Sequence, residues 1–126
     1  MTRKYLSHGE RKLAGIIRRN GIALSYTGNP KHKTAFWVTF SDGTHACPDY
    51  MNQNKRKVLE LWGSGVHTIE EMTARAGKYR EKNWDCFLLN DFDLYHTPEP
   101  KLVKQIVDFV ERQMPSVSAG TTTPLP

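Results

Sequence analysis

The segment from Ser7 to Gly21 leaves the chain few ways to fold. At about 100° per residue, Leu13, Ala14, Ile16 and Ile17 fall on one side, and Arg11, Lys12, Arg18 and Arg19 fall on the other. Ser7 followed three residues later by Glu10 makes a capping box, and Gly21 supplies the stop. Such a stretch is a helix with one face on a core and a cationic face left outside. Gly15 lies in the middle of the basic side, where it costs about 1 kcal/mol relative to alanine. It either lets another backbone approach or only tolerates close packing.

The charge is as lopsided as the helix. Residues 1–35 carry Arg3, Lys4, Arg11, Lys12, Arg18, Arg19, Lys31 and Lys33 against the single acid Glu10, a net +7. The rest of the chain is −2, for a total of +5. A segment this one-sided prefers a polyanion, and the commonest is nucleic acid. The turn-forming loop Gly28-Asn29-Pro30-Lys31-His32-Lys33 adds to that surface. The 126 residues suit one compact domain over residues 1–115, and the apolar-poor residues 116–126 read as a disordered tail. No apolar run is long enough to span a membrane, and the first residues lack the apolar core of a signal peptide. A cytoplasmic protein with Cys47 and Cys86 as free thiols is expected.

Period-2 alternation predicts strands around Ile22-Leu24-Tyr26 and Phe36-Val38-Phe40, with Asp42-Gly43 turning the latter back through Thr44 to Cys47. Trp37 then faces outward beside the basic loop, where a neighbouring element is expected to cover it; the alternative is stacking on a base. A helix is predicted from Pro48 to Trp62, a capped one from Thr68 to Gly77, a further one from Arg80 to Leu89, and a last one opening at Thr97-Pro98-Glu99 and closing at Pro115. The fold class is α+β: a basic N-terminal helix, a small antiparallel hairpin sheet, then a mainly helical second half.

Lys55-Arg56-Lys57-Val58-Leu59-Glu60-Leu61-Trp62-Gly63-Ser64-Gly65, followed by Thr68-Ile69-Glu70-Glu71-Met72-Thr73-Ala74-Arg75-Ala76-Gly77, resembles a helix-turn-helix DNA-binding unit over about residues 54–89. That resemblance implies a recognition helix from about Tyr79 to Leu89, with Arg80, Lys82 and Asn83 reaching base edges and Lys78 beside them. The order helix, three strands, helix over residues 7–62 is similar to a double-stranded RNA-binding domain. The loop Asn29-Pro30-Lys31-His32 stands where that family enters the minor groove.

Chemistry-bearing groups are sparse. His45, Cys47, Cys86 and His96 could ligate zinc, but no paired spacing announces a site, so no metal and no cofactor is expected. Asp42 is explained by its turn, and Asp91, Asp93 and Glu99 by a loop and a helix start. No phosphate loop, GxSxG or HExxH is present. The expectation is therefore a non-catalytic accessory or regulatory protein that binds nucleic acid, DNA before RNA, through Arg11, Lys12, Arg18, Arg19, Lys31, His32 and Lys33. The alternative is a small inhibitor or adaptor of the phage type, holding a host protein or nucleoprotein complex through Asp91, Phe92, Asp93 and Tyr95.

Overall fold

The computed structural model describes residues 7–31, 33 and 35–113. The expectations for His32, for Pro115 and for the tail 116–126 lie outside these residues. The elements run α1 (His8–Arg19), β1 (Ser25–Tyr26), β2 (Val38–Thr39), β3 (His45–Ala46), β4 (Tyr50–Asn52), β5 (Lys57–Trp62), α2 (Ile69–Glu81), β6 (Asp85–Asn90), α3 (Asp91–His96) and α4 (Glu99–Glu111). The class is α+β. The capping boxes at Ser7 and Thr68 both form. Gly43, at φ 88°, makes the turn between β2 and β3. The basic side of α1 is not open at Gly15: the glycine is buried, and an added Cβ there would meet the Arg19 guanidinium at 2.9 Å.

The second half departs from the mainly helical expectation. Residues 48–62 form the antiparallel pair β4–β5, not a helix. Residues 85–90 form β6, which runs parallel to β5 in register from Lys57↔Asp85 to Trp62↔Asn90. Parallel neighbours need a crossover, and α2 supplies it. α2 runs through Gly77 to Glu81; Lys82 caps it, and Asn83, at φ 67°, makes the turn into β6. Residues 54–89 are thus strand, helix, strand. They hold no tri-helical reading unit, and 48–62 does not provide the second helix of an RNA-binding domain.

The main sheet has the order β1-β4-β5-β6. Leu59 and Leu89 face a core built with Leu13, Ile16, Leu94, Leu102, Ile106 and Phe109 from α1, α3 and α4. Val58 faces a second core with Met51, Tyr79, Trp84 and the hairpin residues Val38, Phe40 and Ala46. β5 is therefore covered on both faces, as central parallel strands are. Below it, Lys57 and Asp85 are buried as an ion pair of 2.8 Å, and Arg112 at the end of α4 closes on both Asp85 oxygens.

Candidate active site

Three elements meet where β5 ends. The first turn of α1 brings Ser7, His8 and Glu10. The end of β5 and its following loop bring Leu61, Trp62, Gly63, Val66 and His67, and the start of α3 brings Asp91 and Tyr95. Together they line a cavity of about 450 Å³. Asp91 is held at its mouth by the β6–α3 junction, where Asn90 caps Phe92 N at 2.8 Å. Its carboxylate lies so close to Gly63 that a Cβ there would stand 3.3 Å from Oδ2.

Asp49 adjoins this cavity from behind. It precedes β4, and its Oδ2 accepts a 2.7 Å hydrogen bond from the N–H of Leu61, one of the lining residues. Burial, with Glu60 and Glu10 nearby, pushes its carboxyl up to about 8. Although the residue is partly exposed, Oδ1 is packed so tightly that a Cβ on Gly28 would come within 2.9 Å of it. Glu60, on β5, is also raised by burial, against the Tyr79 hydroxyl that donates to it at 2.5 Å and Arg75 at 3.6 Å. Glu10 is shared between roles. Its Oε1 accepts the Ser7 N–H at 2.8 Å while the residue lines the cavity.

His67 stands between two cavities. Its Nδ1 lies 3.5 Å from Glu71 Oε1, and it also lines a neighbouring groove of about 440 Å³ with His45, Arg75 and Lys78. Trp62 is 9 % exposed, and its indole Nε1 is buried without a hydrogen-bond partner among the described residues.

The cationic residues expected from the sequence differ in exposure and in their partners. Arg11, Lys12, Arg18 and Arg19 are exposed on α1; Arg19 is held by Glu99 at 2.8 Å, and Lys12 stands over the Tyr95 ring. Lys31 and Lys33 are exposed in the loop, and Lys78 is paired with Asp42 at 3.0 Å. Arg80 is half-buried near the end of α2, with Lys82 and Asn83 in the turn beyond it, where their backbone carbonyls receive Arg56. Arg80, Lys82 and Asn83 thus lie on no recognition helix. Trp37 is 52 % exposed, uncovered contrary to expectation. Phe92 and Tyr95 are exposed at 61 % and 46 %, with Asp91 and Asp93 flanking the former. His45, Cys47, Cys86 and His96 stay apart: Cys47 Sγ donates to Thr27 O, and His96 stacks on Phe92.

Sequence reasoning misses Asp49, Glu60 and His67. Beside Pro48, Asp49 has the look of a helix start. The available signal is Glu60, an acid inside the apolar run Val58 to Trp62, since carboxylates seldom lie within a buried element without a task.

No family model matches the chain, and no curated protein does. A solved structure is similar: the catalytic domain of the homing endonuclease I-Bth0305I, with a TM-score of 0.53 and 15 % identity over 82 % of this chain and 94 % of that one. The fold of this chain is similar to that of this catalytic domain. This overturns the expectation of a non-catalytic binder or a masking adaptor, which rested on the absence of a catalytic motif.

Proposed function

We propose that the protein is a nuclease that hydrolyses phosphodiester bonds in nucleic acid at the cavity where α1, β5 and α3 meet. The observation that carries this reading is Asp49, whose carboxylate is bonded to the Leu61 N–H behind a cavity lined by Glu10, His67 and Asp91. The shared endonuclease fold supports it.

Hydrolysis needs a water deprotonated, its oxygen joined to phosphorus, and the phosphorus–sugar oxygen bond broken with a proton returned to the leaving oxygen. His67 is the group suited to take the water proton, with Glu71 beside Nδ1 to orient the ring. Among the described residues, no three His, Cys, Asp or Glu side chains come together to hold an ion by themselves. Magnesium suits so sparse a set, because it takes one or two carboxylates together with waters and substrate phosphates. Glu10, which lines the cavity, and Asp49 behind it would be the hard oxygen donors for such a cation, which would offset the burial and the Glu60 and Glu10 charges that raise Asp49. A bound divalent cation would supply charge neutralisation of the phosphate and a more acidic water.

The test is incubation of the full chain with labelled duplex and single-stranded DNA and RNA, in magnesium or manganese. Wild type should cut at least one of them. Asp49→Ala should abolish cutting, and His67→Ala should slow it by about a hundred-fold or more. No cutting by wild type of any of these, or cutting untouched by Asp49→Ala, would overturn the assignment.

A further inference from the structure

Among the described residues, four of the five large apolar side chains that stand most exposed, Val66, Ile69, Phe92 and Tyr95, occur in the two segments that frame the reaction cavity. Val66 and Tyr95 line it directly. Phe92 follows Asp91, and its ring stacks on His96 with centroids 4.0 Å apart and planes 18° from parallel. His96 Nδ1 lies 2.8 Å from Phe92 O, which locks that pair in place. Tyr95 stands on the next stripe of α3 with the Lys12 ammonium 5.9 Å from its ring centre. The result is an exposed aromatic shelf on α3 beside the carboxylates of Asp91 and Asp93, with a cation from α1 at the Tyr95 ring.

A regular duplex offers this shelf nothing. It presents phosphates and sugars outward and keeps its π-faces in the stack. An unpaired nucleotide offers both halves of the match: a base face for the rings and a phosphate for the ammonium. Building on the nuclease reading, we propose that Phe92 and Tyr95 form a stacking platform for an unpaired nucleobase, and that the substrate is a strand with a nucleotide out of the duplex next to the bond to be cut. Lys12 then takes the phosphate of that nucleotide.

The experiment compares one labelled sequence in four forms: full duplex, duplex with bulged nucleotides, single strand, and the bulged duplex with its bulged bases removed to leave abasic sugars. Binding is read by fluorescence anisotropy at low salt with EDTA, so that nothing is cut. Wild type should hold the bulged and single-stranded forms about ten-fold or more tighter than the duplex. Removing the bulged bases and making Phe92→Ala should each erase that preference, without adding to one another. Phe92→Trp should restore it, and melting of Phe92→Ala should match wild type because the ring is exposed. Equal affinity for duplex and bulge, indifference to the missing bases, or an unchanged Phe92→Ala would overturn the platform. A parallel cleavage series in manganese separates the two readings. Selective binding with no cleavage leaves the platform standing and fails the nuclease. Cleavage of every form at equal rates by wild type and Phe92→Ala does the reverse.

Discussion

The Asp49 carboxylate accepts the Leu61 N–H at 2.7 Å, and this bond joins the residue before β4 to the exit of β5. It places an acid behind the cavity, with one carboxylate oxygen bonded to the strand that leads into it. The cost is a carboxyl that keeps its proton up to about 8, through burial and the charges of Glu60 and Glu10.

That cost sets a pH dependence. Between the ordinary aspartate value and about 8, the folded chain holds a proton that the unfolded chain has released. Stability therefore falls as pH rises through this window, and Glu60, also raised, acts in the same direction. The carboxylates with lowered values, Asp42, Asp85, Glu71 and Glu99, lose their contribution only on acidification, below about pH 5. Thermal melting from pH 5 to 8 without divalent ions should show a declining Tm for wild type. Asp49→Asn should flatten the decline and melt higher at pH 8. Magnesium should raise the wild-type Tm more at pH 8 than at pH 5, since it competes with the proton. A Tm slope identical in both proteins would refute the burial of this charge.

Gly28 should be intolerant of any side chain. A Cβ there would stand 2.9 Å from the Asp49 Cα and 2.9 Å from its Oδ1, and backbone cannot yield as a flexible side-chain tip does. Gly28→Ala is expected to destabilise by about 1–3 kcal/mol, the usual range for overpacking. It should also reduce cleavage beyond the loss of folded protein, because Asp49 is what moves. Urea denaturation and a cleavage rate corrected for folded fraction check both parts.

Much of this architecture is legible in the sequence, and the parts that are not have a common cause. The capped helix α1, the Asp42-Gly43 hairpin, the Thr68 capping box and the apolar stripe of α4 each rest on local chemistry, and each forms. β5 and β6 do not show as strands because both of their faces meet protein. Lys57-Val58-Leu59-Glu60-Leu61-Trp62 loses the alternation that marks a half-buried strand, and its apolar positions fit a helical period equally well. Gly77 has the character of a helix stop, yet α2 passes through it, and the turn falls to Asn83 in a left-handed conformation. The site is harder to read, since Glu10, Asp49, His67 and Asp91 are scattered along the chain: the parallel β5–β6 pairing brings the His67 and Asp91 segments together, the β4–β5 pair brings Asp49, and the packing of α1 on α3 brings Glu10.

The buried ion pair beneath the sheet should be costly to break from one side. Lys57 Nζ donates to Asp85 Oδ2 at 2.8 Å and to the Arg112 carbonyl at 2.7 Å. Burial alone would raise the Asp85 carboxyl, but Arg112 and Lys57 outweigh it and hold it below its usual value. Asp85→Ala strands the Lys57 ammonium, at an expected cost of about 3–5 kcal/mol in urea denaturation. Lys57→Met with Asp85→Leu removes both charges and should cost less than Asp85→Ala alone. A double variant worse than the single would show that the pair is favourable in itself.

The basic helix should contribute to binding unevenly along its length. Lys12 stands beside Tyr95 at the cavity, whereas the Arg19 guanidinium is held by Glu99 at 2.8 Å and also covers Gly15. On the nucleic-acid reading, Lys12→Glu should weaken binding and lower the log–log salt slope by about 0.9 for each duplex-DNA phosphate that goes unneutralised. Arg19→Glu should change the slope little, because that charge is already neutralised within the protein, and it should instead loosen the packing of α1 on α4. Anisotropy titrations at several salt concentrations, paired with melting curves, separate the two effects. An equal fall in slope from both substitutions would mean that the whole face of α1, and not its cavity end, meets the polyanion.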